Sequence, residues 1–374
     1  EFKQLVKEFH ANGMELLMEL YFAAGTPVSL MLDCLRYWVI EYHVDGFRLS
    51  GEAPSEAAAG DPVLKRTKLL ANSWDGLPVS RRPYQETRQE RFLAEYNDGF
   101  LADMRKFLKG DEGQISGAVF RIKRNPNAYG IINYMANTNG FNLNDMVCYE
   151  QKHNEANGED NKDGSDCNFT WNCGAEGKTR KQTVQKLRRR QLKNAAVMLF
   201  LSQGTPLLLA GDEFLHTKGG NNNSYCQDNE VSWLNWNGIK ANQWFYEFVR
   251  YMIGFRKKHP VFRAPAEYAM IDTKAAGLPD LSVHGVKAWR LETEPCKRQL
   301  GMLYCGAYGE DSDFYVAYNM HWEPQEFALP RIGKSKRWHL AVDTSAEEGG
   351  GWYPEGGEPL LQDQEYATVG GRTI

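Results

Sequence analysis

The chain has 374 residues, a formal net charge of −4 and 42% hydrophobic residues. That length suffices for one large core and a second, smaller domain. The mild negative charge gives no reason to expect a nucleic-acid or anionic-membrane partner, and the apolar run Ala195-Ala196-Val197-Met198-Leu199-Phe200-Leu201 is far too short to span a bilayer. The seven cysteines are odd in number and follow no framework spacing; free thiols in a reducing cytosol are the expectation. Cys167 and Cys173 fall in no paired metal pattern, so neither metal nor cofactor is expected.

Taken in order, residues 1–13 read as an amphipathic helix stopped at Gly13. A strand is expected over 15–22, a helix over 29–40, and strands over 44–50 and 68–72 after a polar stretch. Residues 92–97 form the next strand and 100–108 its helix, and 131–137 is a further strand. A long helix covers 183–202, with Arg188-Arg189-Arg190 read as a solvated face. Residues 205–210 read as a buried strand ending in Gly211-Asp212-Glu213, and 244–259 as a helix stopped by Pro260. This βα alternation predicts an α/β domain with a parallel sheet over residues 1–264. From 265 to 374 the texture changes to short alternating runs (286–291, 301–305, 314–319) divided by turn residues, the pattern of an antiparallel β-domain.

Three segments at strand ends carry polar residues in a notable arrangement. They are Val44-Asp45-Gly46-Phe47-Arg48-Leu49-Ser50, Lys68-Leu69-Leu70-Ala71-Asn72-Ser73-Trp74-Asp75, and Ile131-Ile132-Asn133-Tyr134-Met135-Ala136-Asn137-Thr138-Asn139-Gly140-Phe141. Two polar loops are more specific still: 150–164, continuing to Phe169-Thr170-Trp171-Asn172-Cys173-Gly174, and Gly220-Asn221-Asn222-Asn223-Ser224-Tyr225-Cys226-Gln227-Asp228-Asn229 with Ser232-Trp233-Leu234-Asn235-Trp236. In order and spacing these resemble glycoside hydrolase family 13, in its isoamylase or glycogen-debranching branch. The resemblance implies a (β/α)8 TIM-barrel-type domain whose first two strands are absent from the chain, followed by a C-terminal antiparallel β-sandwich. It also implies an aspartate nucleophile where Ser50 stands, a glutamate acid where Asn72 stands, and a histidine–aspartate pair where Thr138 and Asn139 stand. On the third barrel strand, Ala23 and Ala24 occupy the family's Asn-His positions and Glu19 its aspartate.

The substitutions bear directly on chemistry. Retaining glycoside cleavage uses two carboxyl groups about 5–5.5 Å apart, one as nucleophile and one as acid and base. Serine needs a base to become a nucleophile, and asparagine has no titratable proton. Ser50, Asn72 and Asn139 are therefore expected to be non-functional as catalytic groups. Arg48 is expected to lose its usual acidic partner. Arg48, Trp74, Asp75, Lys152 and His153 are the expected sugar contacts, whereas any single loop asparagine could equally bind sugar or tie loops together. The resemblance implies a non-hydrolytic protein, cytoplasmic (or plastidic in a plant or alga), that binds branched α-glucan (glycogen or starch) and works beside an active isoamylase-type subunit. Two other readings stay open: an active α-1,6-glucosidase with Glu52 as a displaced nucleophile, and a structural or oligomeric partner without glucan affinity. Residues 159–164 mimic a calcium loop, but Thr170 stands where its closing glutamate belongs.

Overall fold

The computed structural model describes residues 1–74, 92–333, 335–347 and 349–374. The chain forms two compact units. The first comprises Glu1–Asp98, Arg124–Asn133 and Pro265–Glu267. It holds five parallel strands in chain order: β1 (Leu17–Phe22), β2 (Gly46–Gly51), β3 (Lys68–Ala71), β4 (Leu93–Tyr96) and β5 (Gly130–Asn133). Helices α1 (Phe2–Ala11), α2 (Val28–Tyr42) and α3 (Ser55–Gly60) accompany them.

Parallel neighbours need a crossover, and α2 supplies it between β1 and β2. Met31 and Leu35, one helical turn apart, are its buried side chains. They join a core built from Phe22, Phe47, Leu49, Leu69, Ala71 and Ile131. Each large apolar side chain so buried contributes roughly 1.5–3 kcal/mol. Asp45 positions α1 against this sheet: its carboxylate accepts from the Leu16 N–H at 2.7 Å and meets the His10 ring at 2.8 Å. Register puts Gly46 opposite both Leu17 and Lys68. A Cβ at Gly46 would lie 2.6 Å from the Lys68 Cβ, so only glycine lets β2 and β3 approach here.

The second unit comprises Gly99–Lys123, Tyr134–Ala264 and Tyr268–Ile374. Its helices are α4 (Asp98–Lys109), α5 (Ile115–Lys123), α6 (Leu143–Met146), α7 (Gln182–Leu201), α8 (Gly238–Ala241) and α9 (Gln243–Lys258), with a two-residue strand, β6 (Thr205–Pro206), after α7. Residues 191–201 of α7 are buried on every side, which explains its unbroken apolar run. An antiparallel sheet follows, β7 (Leu281–His284), β8 (Gln299–Tyr304) and β9 (Phe314–Asn319), with β8 in the middle and wholly buried. A second antiparallel pair joins β10 (Gln325–Ala328) to β11 (Tyr366–Val369). The fold is thus a parallel α/β barrel-type arrangement with antiparallel sheets towards the C-terminus. Among the described residues no helix is long and apolar enough to cross a membrane, and all seven cysteines are free.

Several local expectations need correction. The apolar run 205–210 is a strand only over Thr205–Pro206; the chain then turns through Gly211, at φ 95°, into a 3-10 turn at Asp212–Phe214. Residues 286–291 are not a strand. Gly285 N–H donates to Arg290 C=O at 2.7 Å, and Trp289 N–H donates to the His284 ring at 2.6 Å. These bonds close a tight loop, with Trp289 at φ 64°, and the strand lies earlier, in β7. The arginine run of α7 is a solvated face only in part: Arg189 is exposed and Arg190 half-buried. Arg188 is buried and donates to the carbonyls of Gly177, Asn172, Cys148 and Ala175. Helices α3 and α5 lie where no helix was expected.

Candidate functional site

In the first unit, the C-terminal ends of β2 and β3 bring Arg48 and Asn72 into contact, while the Ser50 side chain bonds back to β1. Arg48 is not left unpartnered. Its guanidinium donates to Asn72 Oδ1 at 2.7 Å and to Leu49 C=O at 2.6 Å, and it lies 4.1 Å from the centroid of the Tyr96 ring. Three contacts on one side chain hold the cation in place. Ser50 Oγ donates to Leu20 C=O at 3.2 Å. A carbonyl cannot take the hydroxyl proton, so this bond does not activate the serine. Gly51 ends β2 at φ 69°, turning the chain so that Glu52 is exposed, with its N–H on Phe22 C=O at 2.9 Å. Glu95 is buried and paired with Arg124 at 2.6 Å. Ala23 and Ala24 are exposed and offer no polar side chain beyond β1.

Trp74 requires a correction. Its side chain is fully buried, and its indole N–H donates to Ala94 C=O at 2.9 Å. A ring with no exposed face cannot stack on a sugar; Trp74 fastens the segment after β3 onto β4 as a core residue. Asp75 lies outside the described residues.

In the second unit, Asn137 Oδ1 accepts the Asn139 N–H at 2.9 Å, forming an Asx turn that leaves Thr138 and Asn139 exposed. The two polar loops are knotted together by their asparagines. Asn154 Nδ2 donates to Asn222 Oδ1 at 2.8 Å, and Asn222 N–H returns to Asn154 Oδ1 at 2.9 Å. Asn222 Nδ2 also donates to Ser165 C=O at 2.7 Å and Asn168 Oδ1 at 2.9 Å, and the Asn222 carbonyl accepts the Gly140 N–H at 3.0 Å. Asp163 accepts from Asn157 at 2.7 Å and Asn223 at 2.9 Å. Because Asn154, Asn221 and Asn222 are buried, their polarity serves these loop ties rather than a ligand.

Lys152 also belongs to the knot. It is buried, with Nζ 2.7 Å from Asp166 and 3.5 Å from Gly164 C=O. His153 is partly exposed, with its ring 3.2 Å from Glu176 and edge-on to Tyr149. Burial alone would raise the Glu176 carboxyl. Bonds from Asn172, from the Glu150 and Gln151 N–H groups and from His153 outweigh it and hold that carboxyl below the ordinary range.

Two buried carboxylates escaped the sequence reading as a pair. Asp145 accepts from the Thr217 hydroxyl at 2.5 Å and the Lys218 N–H at 2.9 Å, pinning α6 to the chain before the second loop. Asp212 accepts the Leu143 N–H at 2.9 Å. Burial pushes the Asp212 carboxyl up to about 7, against the opposing pull of that N–H and of Arg105. Burial likewise lowers Arg105 to about 10; its guanidinium donates to Met135, Asn168 and Phe141 carbonyls. No solvent-facing position could have flagged these groups. A serine–histidine pair also occurs in β7, Ser282 Oγ to His284 Nε2 at 2.9 Å. It is not a hydrolytic dyad: His284 Nδ1 accepts the Trp289 N–H, which places the ring proton on Nε2 and leaves no base facing the serine.

No protein-family model matches the chain. It is 34% identical over 369 residues to the glycogen operon protein GlgX homolog of Mycobacterium tuberculosis, covering 86% of this chain and 49% of that protein. It is 35% identical over 355 residues to the chloroplastic isoamylase 3 of Oryza sativa subsp. japonica, covering 88% of this chain and 43% of the relative. The chain therefore spans just under half the length of these curated relatives. In structure it resembles the pullulanase of Bacillus acidopullulyticus, with a TM-score of 0.65 at 18% identity over 99% of this chain and 47% of that one; this likeness concerns the fold. These similarities make the chain a homologue of the isoamylase and glycogen-debranching proteins of glycoside hydrolase family 13.

Proposed function

We propose that this protein binds branched α-glucan of the glycogen or starch type without hydrolysing it, and that it works beside an active isoamylase-type subunit. The observation that carries this reading is the bond from Arg48 to Asn72. At the position where the resembled enzymes place their acid, the neighbouring cation is satisfied by a neutral amide. Ser50, where they place the nucleophile, donates to a main-chain carbonyl. Neither group can exchange a proton with a glycosidic oxygen or attack an anomeric carbon as a carboxylate would. Binding requires none of these steps, and Asn139, His153 and Arg48 keep accessible donors and acceptors. On this reading residues 1–264 supply the barrel-type domain and 265–374 the β-sandwich. The test pairs a reducing-end assay on glycogen with calorimetric titration of maltooligosaccharides. Binding without new reducing ends supports the proposal; turnover within about tenfold of an active isoamylase overturns it and directs attention to Glu52.

A further inference from the structure

We propose that the basic segment 178–189 is a docking surface for an acidic polypeptide segment of a partner protein. Such docking requires no glucan at the strand ends. The chain has a net charge of −4, yet eight of its 44 cationic residues fall between 178 and 193, and no Asp or Glu falls between Glu176 and Asp212. Three of the eight are spent inside the fold. Arg188 donates to the carbonyls already described, Lys193 to Ala346 C=O at 2.8 Å and Arg190 to Gly371 C=O at 2.7 Å. The other five, Lys178, Arg180, Lys181, Lys186 and Arg189, are exposed.

Among the described residues only Lys186 of these five has an acidic partner, the exposed Glu347 at 2.9 Å. Arg189 lies over the Trp244 ring, 5.2 Å from its centroid. Helix α7 makes the arrangement unfavourable for folding. It begins at Gln182, so Arg180 and Lys181 stand at its positive end, with no acidic residue in the first turn and no side-chain cap. Lys186 is then followed by like charges three and four residues on, at Arg189 and Arg190. The fold keeps charges that oppose its own helix and supplies one exposed carboxylate against them; an external anion provides the rest. The segment is also held in shape. Thr179 Oγ1 accepts the Lys181 N–H at 3.2 Å, and Gln185 Nε2 donates to Thr179 C=O at 2.8 Å. A pre-shaped backbone loses little freedom when a partner settles on it.

The neighbours of these cations select the kind of anion. A lipid surface is held by apolar side chains inserted beside the charges, and no large apolar side chain is exposed between 178 and 190. Single-stranded nucleic acid stacks its bases on aromatic rings, and no aromatic residue falls between Trp171 and Phe200. Carboxylates need only cations within reach. Asp and Glu side chains three or four residues apart on a helix repeat at the spacing of Lys186, Arg189 and Arg190, and complementary charge of this kind sets register and approach.

Fluorescence anisotropy with a fluorescein-labelled decaglutamate peptide, titrated with the full chain at low salt, tests this directly. Saturable binding is expected, with none for the decaglutamine control. The triple variant Lys178→Gln, Arg180→Gln, Lys181→Gln should bind about tenfold more weakly, whereas Lys178→Arg with Lys181→Arg should bind as the parent does. The triple variant should unfold at the same temperature or higher, because charges at the positive end of α7 have gone. Absence of peptide binding at about 1 mM, or equal binding by the triple variant, overturns the proposal. A lower unfolding temperature for that variant overturns the claim that these charges are surplus to the fold. Tighter binding of a decathymidine strand or of phosphatidylserine vesicles, lost in the same variant, overturns the assignment to a polypeptide.

Discussion

If position 72 is the acid position, as the proposed function has it, placing a glutamate there should still fail for a reason visible in the structure. In Asn72→Glu, the new carboxyl would face Arg48, which now stands 2.7 Å from Asn72 Oδ1. Arg48 cannot easily withdraw, because Leu49 C=O and the Tyr96 ring also hold it. Unit charges about 4 Å apart attract by about 1 kcal/mol in water and about 4 kcal/mol at an effective dielectric of 20. Position 72 is exposed, so the lower figure applies, which lowers the carboxyl by roughly 0.7 of a pKa unit from about 4.3. At pH 7 only about one molecule in 2,500 would then carry the proton that a general acid must give, whereas such acids work best near the operating pH. A carbon-detected NMR titration of the introduced carboxyl should place it below about 4, and the Arg48→Ala companion should return it towards about 4.3. A reducing-end assay should show no turnover of glycogen by either variant. A carboxyl at or above its ordinary value with Arg48 in place would refute the clamp, and turnover by Asn72→Glu alone would refute the assignment of the two positions.

Other expectations follow from the same contacts. Trp74→Ala empties a fully buried site and orphans Ala94 C=O, so the unfolding free energy should drop by about 3–5 kcal/mol; a loss below about 1 kcal/mol in denaturant melts would show that the ring is not a core residue. Asp212 has a folded pKa of about 7 against about 3.9 unfolded. Between those values the folded chain holds the extra proton, so this group's effect is to reduce stability as pH rises from about 4 to 7. Asp212→Asn removes that dependence while keeping an acceptor for Leu143 N–H, and its stability relative to the parent should grow between pH 5 and pH 8; a constant difference would contradict the burial argument. Asn222→Ala cuts three side-chain bonds linking the two loops. It should cost about 2–3 kcal/mol and speed amide exchange across residues 150–170, and unchanged exchange there would count against the knot.

The parallel strands were legible because Gly46-Phe47-Arg48-Leu49 and Lys68-Leu69-Leu70-Ala71 are short apolar runs bounded by turn residues, and α2 because Met31 and Leu35 fall at helical spacing. What remained hidden depended on partners far along the chain. The apolar run after Thr205 looks like a strand by composition, yet its direction is set by the turn at Gly211. The run from Val286 alternates suitably, but His284 captures the Trp289 N–H and folds it back. Three adjacent arginines suggest a wet face, and only the carbonyls of residues 148–177 reveal why Arg188 turns inward. Nothing in the local pattern around Trp74 distinguishes a sugar-stacking ring from one sealed against Ala94. That Ser50 and Asn72 carry no carboxyl was readable in the sequence; the contact between Arg48 and Asn72, 24 residues apart, was not.

The most direct test of the central claim is a paired measurement on one sample: calorimetric titration with maltoheptaose, then a prolonged reducing-end assay on glycogen at the same protein concentration. The account predicts saturable binding and no reducing ends above the protein-free blank. Sustained release of reducing ends, abolished by Glu52→Gln, would contradict it.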